Sequence, residues 1–310
     1  MKQGVCLLAL FFCLVVSTPA EPQTKTKARQ EESRGIVAAE FLKARPAKSG
    51  APARRAAYRR VTAKTTAETK GASTGVGGDF AQLGLTIWRL RPAKAGDKVR
   101  TIVQEGADAM EWTPERVEAN TPMRVGDRIR FSFESPRAGY LYVIDREQYA
   151  DGSLGESSLI FPTTRTRSGD NRVAPGRIIE IPGQEDRPNY LRLKQTRMSL
   201  VGESLVVIVT PQPLEGITIG ERELPLSKEQ VARWEKTWGA EVERFEMTGG
   251  AGKTWTRAEK EAGADATRQL TQEDPGPQTI YRVAVKPDQP ILVKVRLRYA
   301  RTTARPPARR

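Results

Sequence analysis

Hydrophobic and polar positions alternate most cleanly from Arg128 to Phe133. Ile129, Phe131 and Phe133 fall on one side, Arg128, Arg130 and Ser132 on the other. A two-residue period predicts a strand buried on one face. Ser135-Pro136-Arg137-Ala138-Gly139 then supplies turn chemistry, with proline fixing φ and glycine free to take positive φ. Tyr140–Ile144 is aromatic, β-branched and apolar on both faces, and predicts a central strand. Leu159-Ile160-Phe161 predicts a third strand, stopped by Pro162. The Arg128–Pro162 stretch is therefore expected at the heart of an antiparallel sheet.

The same period recurs on both sides of it. Leu83, Leu85 and Ile87 alternate, with Trp88 behind them, and predict a strand to Leu90 in a folded region that begins near Asp79-Phe80. Trp112-Thr113-Pro114 marks the entry to a short element, and Met123–Asp127 a turn into the Ile129 strand. Arg177–Ile181, Tyr190–Leu193 and Leu205–Val209 predict further strands, the first and last closed by Pro182 and by Pro211 with Pro213. Many short strands with frequent turn signals read as a mainly β chain, an antiparallel β-sandwich, Ig-like or similar, over residues 79–214.

After residue 214 the period changes. Ser227 and Gln230 have capping-box spacing, and Val231, Trp234 and Trp238 follow on one helical face until Gly239. Two tryptophans on one face can stack on a sugar, but packing against the sheet is the expectation. A second short helix is expected over Thr256–Glu261. Tyr281, Val283 and Val285 alternate, Lys286–Gln289 turns, and Ile291 to Tyr299 alternate again, which predicts a hairpin. Residues 215–300 are thus expected as a helix-plus-hairpin extension packed on the sandwich.

The two ends change the picture. Lys2, the apolar run Val5–Val16 and Thr18-Pro19-Ala20 predict a signal peptide over residues 1–20, cut between Ala20 and Glu21. Cleavage or retention as an anchor stays open at this point. Export to the periplasm or beyond the cell follows. Both cysteines, Cys6 and Cys13, lie inside that segment, and the chain has no histidine. Zinc sites built on Cys or His, Ser-His-Asp triads, Cys-His dyads and His-ligated haem are excluded from the remainder. Carboxylate pairs, calcium and lysine chemistry survive.

The formal net charge of +14 sits mostly in the ends. Residues 21–79 carry +7 and residues 301–310 carry +4, against +2 for residues 80–300. Residues 21–78 read as a disordered basic linker, in which Ile36–Leu42 forms a transient helix or a docking segment. Arg54, Arg55, Arg59 and Arg60 are the candidate electrostatic contacts to an anionic polymer or lipid surface. A nearly neutral folded part argues against a nucleic-acid-binding fold.

Candidate chemistry is sparse. Asp145, Glu147, Asp151 and Glu156 sit at positions 1, 3, 7 and 12 of an EF-hand-like frame, but Tyr149 and Ala150 replace its fifth ligand and central glycine. A polar hairpin loop is the default, with calcium the hypothesis to test. Trp88, Trp112, Trp255 and Tyr140 are candidate glycan platforms. Gly249–Thr254 lacks the spacing of a phosphate loop. No catalytic residue and no cofactor is marked out.

The order of motifs resembles the bacterial domain-of-unknown-function family 4384. Gly126-Asp127-Arg128-Ile129-Arg130-Phe131 matches its "G-D-x-I-x-F", Gly139–Val143 its "G-Y-L-Y-V", and Asp151-Gly152 with Leu159–Pro162 its "D-G…L-I-F-P". Asn171, Gly176-Arg177 and Ile181-Pro182 follow its "N…G-R…I-P", and Gly202–Thr210 its "G-E-x-L-x-V-I-V-T". The resemblance covers residues 83–214. It implies an exported bacterial domain, often beside other envelope modules, and supplies no catalytic residue. The reading that follows is a non-enzymatic envelope interaction module, with specificity for an unknown protein or glycan in the sandwich and electrostatic attachment through the tails. The alternative is a carboxylate-dependent hydrolase acting on envelope glycans.

Overall fold

The computed structural model describes residues 37–48, 56–61, 79–105, 108–265 and 267–300. The expected cut between Ala20 and Glu21 and the tail 301–310 lie outside them, as do Arg54 and Arg55.

Two antiparallel sheets face each other. The first is built on β2 (Ala81–Pro92), whose Ala81, Leu83, Leu85 and Ile87 point into the space between the sheets. On one side β2 pairs with β5 (Arg128–Glu134), Leu85 opposite Phe133 and Ile87 opposite Phe131. On its other side the first half meets β15 (Thr279–Val283) and the second half β4 (Asp108–Val117). The sheet continues from β15 to β14 (Val242–Met247) and β1 (Tyr58–Val61), and from β4 to β3 (Thr101–Glu105). Beyond β5 it ends in the short strands β10 (Ile179–Ile181) and β11 (Leu191–Arg192).

The second sheet is built on β12 (Leu200–Thr210), flanked by β16 (Ile291–Arg298) and β6 (Gly139–Asp145). β7 (Glu147–Tyr149) pairs with the start of β12. β8 (Ser157–Phe161) and β9 (Arg172–Val173) pair with the far side of β6, and β13 (Leu224–Leu226) ends the sheet beyond β8. Leu205, Val207 and Val209 join Phe131, Phe133, Val143 and Phe161 in the core between the sheets.

The apolar run Val206–Val209 has no alternation because both faces of β12 are covered. Val206 and Ile208 look outward, where α2 (Lys228–Trp238) lays Val231, Trp234 and Trp238 over them. The Ser227 hydroxyl caps this helix by accepting from the Gln230 N–H at 3.1 Å. Gly239 ends it in extended conformation, where a Cβ would lie 2.4 Å from the Glu235 carbonyl oxygen. The stretch expected as a hairpin is corrected: β15 joins the first sheet and β16 the second. Residues 215–300 therefore complete both sheets rather than sitting on them.

The outer face of the first sheet is buried as well. Across it lie α1, over residues 37–43, and α3 (Arg257–Ala264), the latter opened by a capping box of Thr256 and Glu259. Val37, Ala38, Phe41 and Leu42 of α1 pack on Tyr58, Phe245 and Ile280. Phe41 comes so close to β2 that a Cβ on Gly84 would lie 2.6 Å from its ring. Within the span expected as a disordered linker, residues 37–43 and Tyr58–Val61 are thus folded, because their apolar side chains have a sheet to cover.

Charged side chains hold this layer. β5, expected to be buried on one face, is buried on both: Arg130 is 0% exposed and Glu134 4%. Arg45, just after α1, grips Glu134 with two bonds of 2.7 Å and donates to the carbonyls of Thr271, Asp274 and Pro275. Arg116 pairs with Glu259, and Arg130 lies 3.5 Å from Glu180. Burial pushes Glu180 up to about 7 against the pull of Arg130.

Breaking one of these pairs strands its partner in a dry layer. Arg45→Ala is expected to cost about 3–5 kcal/mol in urea unfolding, and the double variant Arg45→Met/Glu134→Leu to recover most of it. A single variant as stable as the parent would show that the pair holds nothing.

Candidate functional site

The two sheets end side by side at β10 and β11 on one layer and β8 and β13 on the other. Between them lies an open groove of about 430 Å³. Ile160, Ile181, Pro182, Pro188, Tyr190 and Leu191 supply apolar lining, and Thr163, Arg165, Thr166, Asp186, Glu221, Arg222 and Glu223 polar lining. Asp186 is committed internally, accepting from the Gly183 N–H at 2.7 Å and from the Thr166 hydroxyl. Arg165 donates to the Arg187 carbonyl, while Glu221, Arg222 and Glu223 form no ion pair among the described residues. An apolar surface with a few free charges is chemistry for binding. Sequence reasoning missed it. Its signals were Pro162 and Pro182, read only as strand stops, and the loop that follows each.

The four residues of the calcium frame do not converge. Asp151 closes its own turn, accepting from the Ser153 N–H at 2.9 Å and hydroxyl at 2.7 Å. Glu156 pairs with Lys228 at 2.9 Å, and Glu147 accepts from the Tyr149 and Thr196 hydroxyls. Those two bonds hold Glu147 below its ordinary value. Among the described residues no group of three or more acidic side chains is arranged to hold a metal ion.

Asp145 instead lies diagonal to Glu203 across the pairing of β12 with β6 and β7. Antiparallel pairing sets Glu147 opposite Glu203, so the inward row of Val143, Asp145 and Glu147 runs beside that of Leu205 and Glu203. One Asp145 oxygen, Oδ1, is sealed from solvent without a hydrogen-bond partner among the described residues. Burial first, then Glu203, push Asp145 up to about 8, and burial raises Glu203 too. The Tyr299 hydroxyl donates to Glu203 at 2.5 Å and is itself raised, first by burial and then by that carboxylate. The arrangement favours the protonated form of Asp145. Neither Asp145 nor Glu203 lines the groove.

The remaining candidates have partners within the fold. Arg59 pairs with Glu118 and Arg60 with Glu243, both at 2.6 Å, from within β1. Trp88 and Trp255 are buried edge to face at 6.3 Å, and Trp112 is buried under the Arg128 guanidinium. Trp234 and Trp238 stack within 10° of parallel on the second sheet. Gly250 and Gly252 belong to a turn bonded to Met247 and Arg116.

The raised Asp145 has a definite sign. An unfolded aspartate releases its proton near pH 3.9, whereas the folded one keeps it to about pH 8. Its stabilising contribution is therefore full below pH ~4 and fades as pH rises through about 8. Asp145→Asn is expected to flatten the fall in Tm between mildly acidic and mildly alkaline buffer. Identical Tm–pH curves for both proteins would refute the assignment.

No curated protein and no solved structure matches the chain. One family model does. It spans the turn before β5 through β12, and it includes every lining residue of the groove except Glu221, Arg222 and Glu223. Residues 123–213 match the domain of unknown function (DUF4384), the family to which the sequence motifs point.

Proposed function

We propose that this chain is a non-enzymatic interaction module of the bacterial cell envelope, exported by its N-terminal signal, which takes a segment of protein or glycan into the groove between the sheet edges. The groove itself carries the proposal. It joins an apolar surface to Arg165, Arg222, Glu221 and Glu223, which suits a ligand read by a few charges over a hydrophobic contact. The basic ends add salt-sensitive attraction to anionic polymer or lipid. A carboxylate hydrolase needs two acids facing each other across a substrate-sized space. Asp186 is tied up by Thr166 and Gly183, and the Asp145–Glu203 pair lies outside the groove, so binding is the better-supported reading.

Co-sedimentation with isolated envelope at high salt tests the proposal, because the tails contribute least there. Arg165 and Arg222 are exposed, so Arg165→Glu/Arg222→Glu is expected to leave Tm unchanged and to lower the bound fraction about tenfold. Equal sedimentation of parent and variant would remove the groove from the function.

A further inference from the structure

Between β8 and β9 the backbone takes an unusual course. Arg167, Ser168 and Gly169 follow one another in the left-handed region, with φ of 53°, 53° and 84°. Glycine tolerates that conformation, whereas arginine and serine adopt it at a cost in stability. The turn is closed by the Gly169 N–H donating to Thr166 O and the Asp170 N–H donating to Arg167 O, both at 3.0 Å. Strain of this kind persists where the surroundings impose it, and it gathers at working sites. The side chain delivered by the turn is that of Arg167, whose Nη1 donates to Ile178 O at 2.8 Å.

Three guanidinium groups share one carboxylate here. Asp170 accepts from Arg172 Nε and Arg177 Nη2, both at 2.8 Å, and from Arg172 Nη2 at 3.3 Å. Arg167 forms no ion pair among the described residues. The charged groups that act on it are Arg177, Asp170 and Arg172; burial first, then Arg177, lower its pKa against the pull of Asp170. Its Nε and Nη2, and the Nε of Arg177, are sealed from solvent with no acceptor among the described residues. Nε and Nη2 form the edge with which an arginine grips an oxyanion through two parallel bonds. Charged donors left dry and unbonded cost stability, which an acceptor supplied from outside restores. Asp186, beyond Thr166, is already taken by the Thr166 hydroxyl and the Gly183 N–H. Three positive charges against one negative leave the cluster at +2. A carboxylate neutralises one of the two. A phosphoryl group, with a charge of about −1.5 to −2 and three acceptor oxygens, meets both and spans more than one guanidinium.

We propose that Arg167, Arg172 and Arg177 form a binding site for a phosphate group, which Arg167 grips through Nε and Nη2 and Arg177 through its Nε. Arg172 is 66% exposed, and its guanidinium bonds only to Asp170 among the described residues. It is the arm that turns to admit the anion and closes on it. The site lies within the segment that matches the family and uses none of the residues that line the groove. It therefore stands or falls apart from the groove reading.

Titration calorimetry of the full chain at fixed ionic strength tests it, with inorganic phosphate, glycerol 3-phosphate and acetate as probes. At least one phosphate is expected to saturate a single site and to raise Tm, and acetate to do neither. Saturation by inorganic phosphate alone assigns the site to the free ion; saturation by glycerol 3-phosphate, alone or as well, assigns it to a phosphate ester. Arg167→Gln and Arg172→Gln are each expected to weaken phosphate binding at least about tenfold. Arg172 is exposed, so its variant is expected to keep the parent's ligand-free Tm and tests the site even where Arg167→Gln folds poorly. Arg233→Gln removes the same charge from an exposed position on α2 and is expected to bind as the parent does. Absence of saturable binding of either phosphate by the parent overturns the proposal. So does parental affinity in Arg172→Gln, an equal loss in Arg233→Gln, or an equal response to acetate.

Discussion

The fold depends on covering a sheet face that is written in charges. Arg130, Glu134, Glu180 and Arg116 look outward from the first sheet, and the chain buries them under α1, α3 and the loop at 271–277. Each cover brings its own counter-charge or carbonyls: Arg45 beside α1, Glu259 in α3, and Thr271, Asp274 and Pro275 in the loop. Buried pairs of this kind add little stability over apolar replacements, but they punish a missing partner. They therefore fix which segments must lie together. Arg45 from the N-terminal part, Glu134 from the segment that matches the family, and the C-terminal loop make one cluster, so the matched segment is one part of a larger fold.

Most of the sandwich was legible because its strands alternate or run apolar over a strand's length between turn signals. Ile129–Phe133 falls where its alternation placed it, and Tyr140–Ile144 and Leu205–Val209 where their short apolar, β-branched runs did. Pairing was less legible. β15 and β16 carry the signal of a hairpin, two alternating runs about a turn, and local periodicity has nothing to say when the partners lie in different sheets. Residues 37–43 and Tyr58–Val61 were hidden by basic neighbours, since composition averaged over residues 21–78 outweighs four apolar side chains on one helical face. Arg130 failed for the same reason: a charged residue at an outward position reads as solvated until the covering helix is known.

The sites show the same limit more sharply. Asp145 was noticed through Glu147, Asp151 and Glu156, its neighbours in sequence, yet the carboxylate that raises it is Glu203, brought near by the pairing of β12 with β6 and β7. The groove comes from three separate stretches, around Ile160–Thr166, Ile181–Leu191 and Glu221–Glu223. None carries a motif of its own. A site made where strands end is visible only once the order of strands in both sheets is fixed.

The groove and the end of the sandwich where Asp145 meets Glu203 are joined by the stretch from Ile181 to Val201. Its first half lines the groove and its second half forms the turn that bears Met198. An ionised Asp145 would place a second negative charge near Glu203, where β6 and β7 pair with β12. Burial that favours the protonated form of Asp145 thus relieves repulsion between the two carboxylates inside the sandwich.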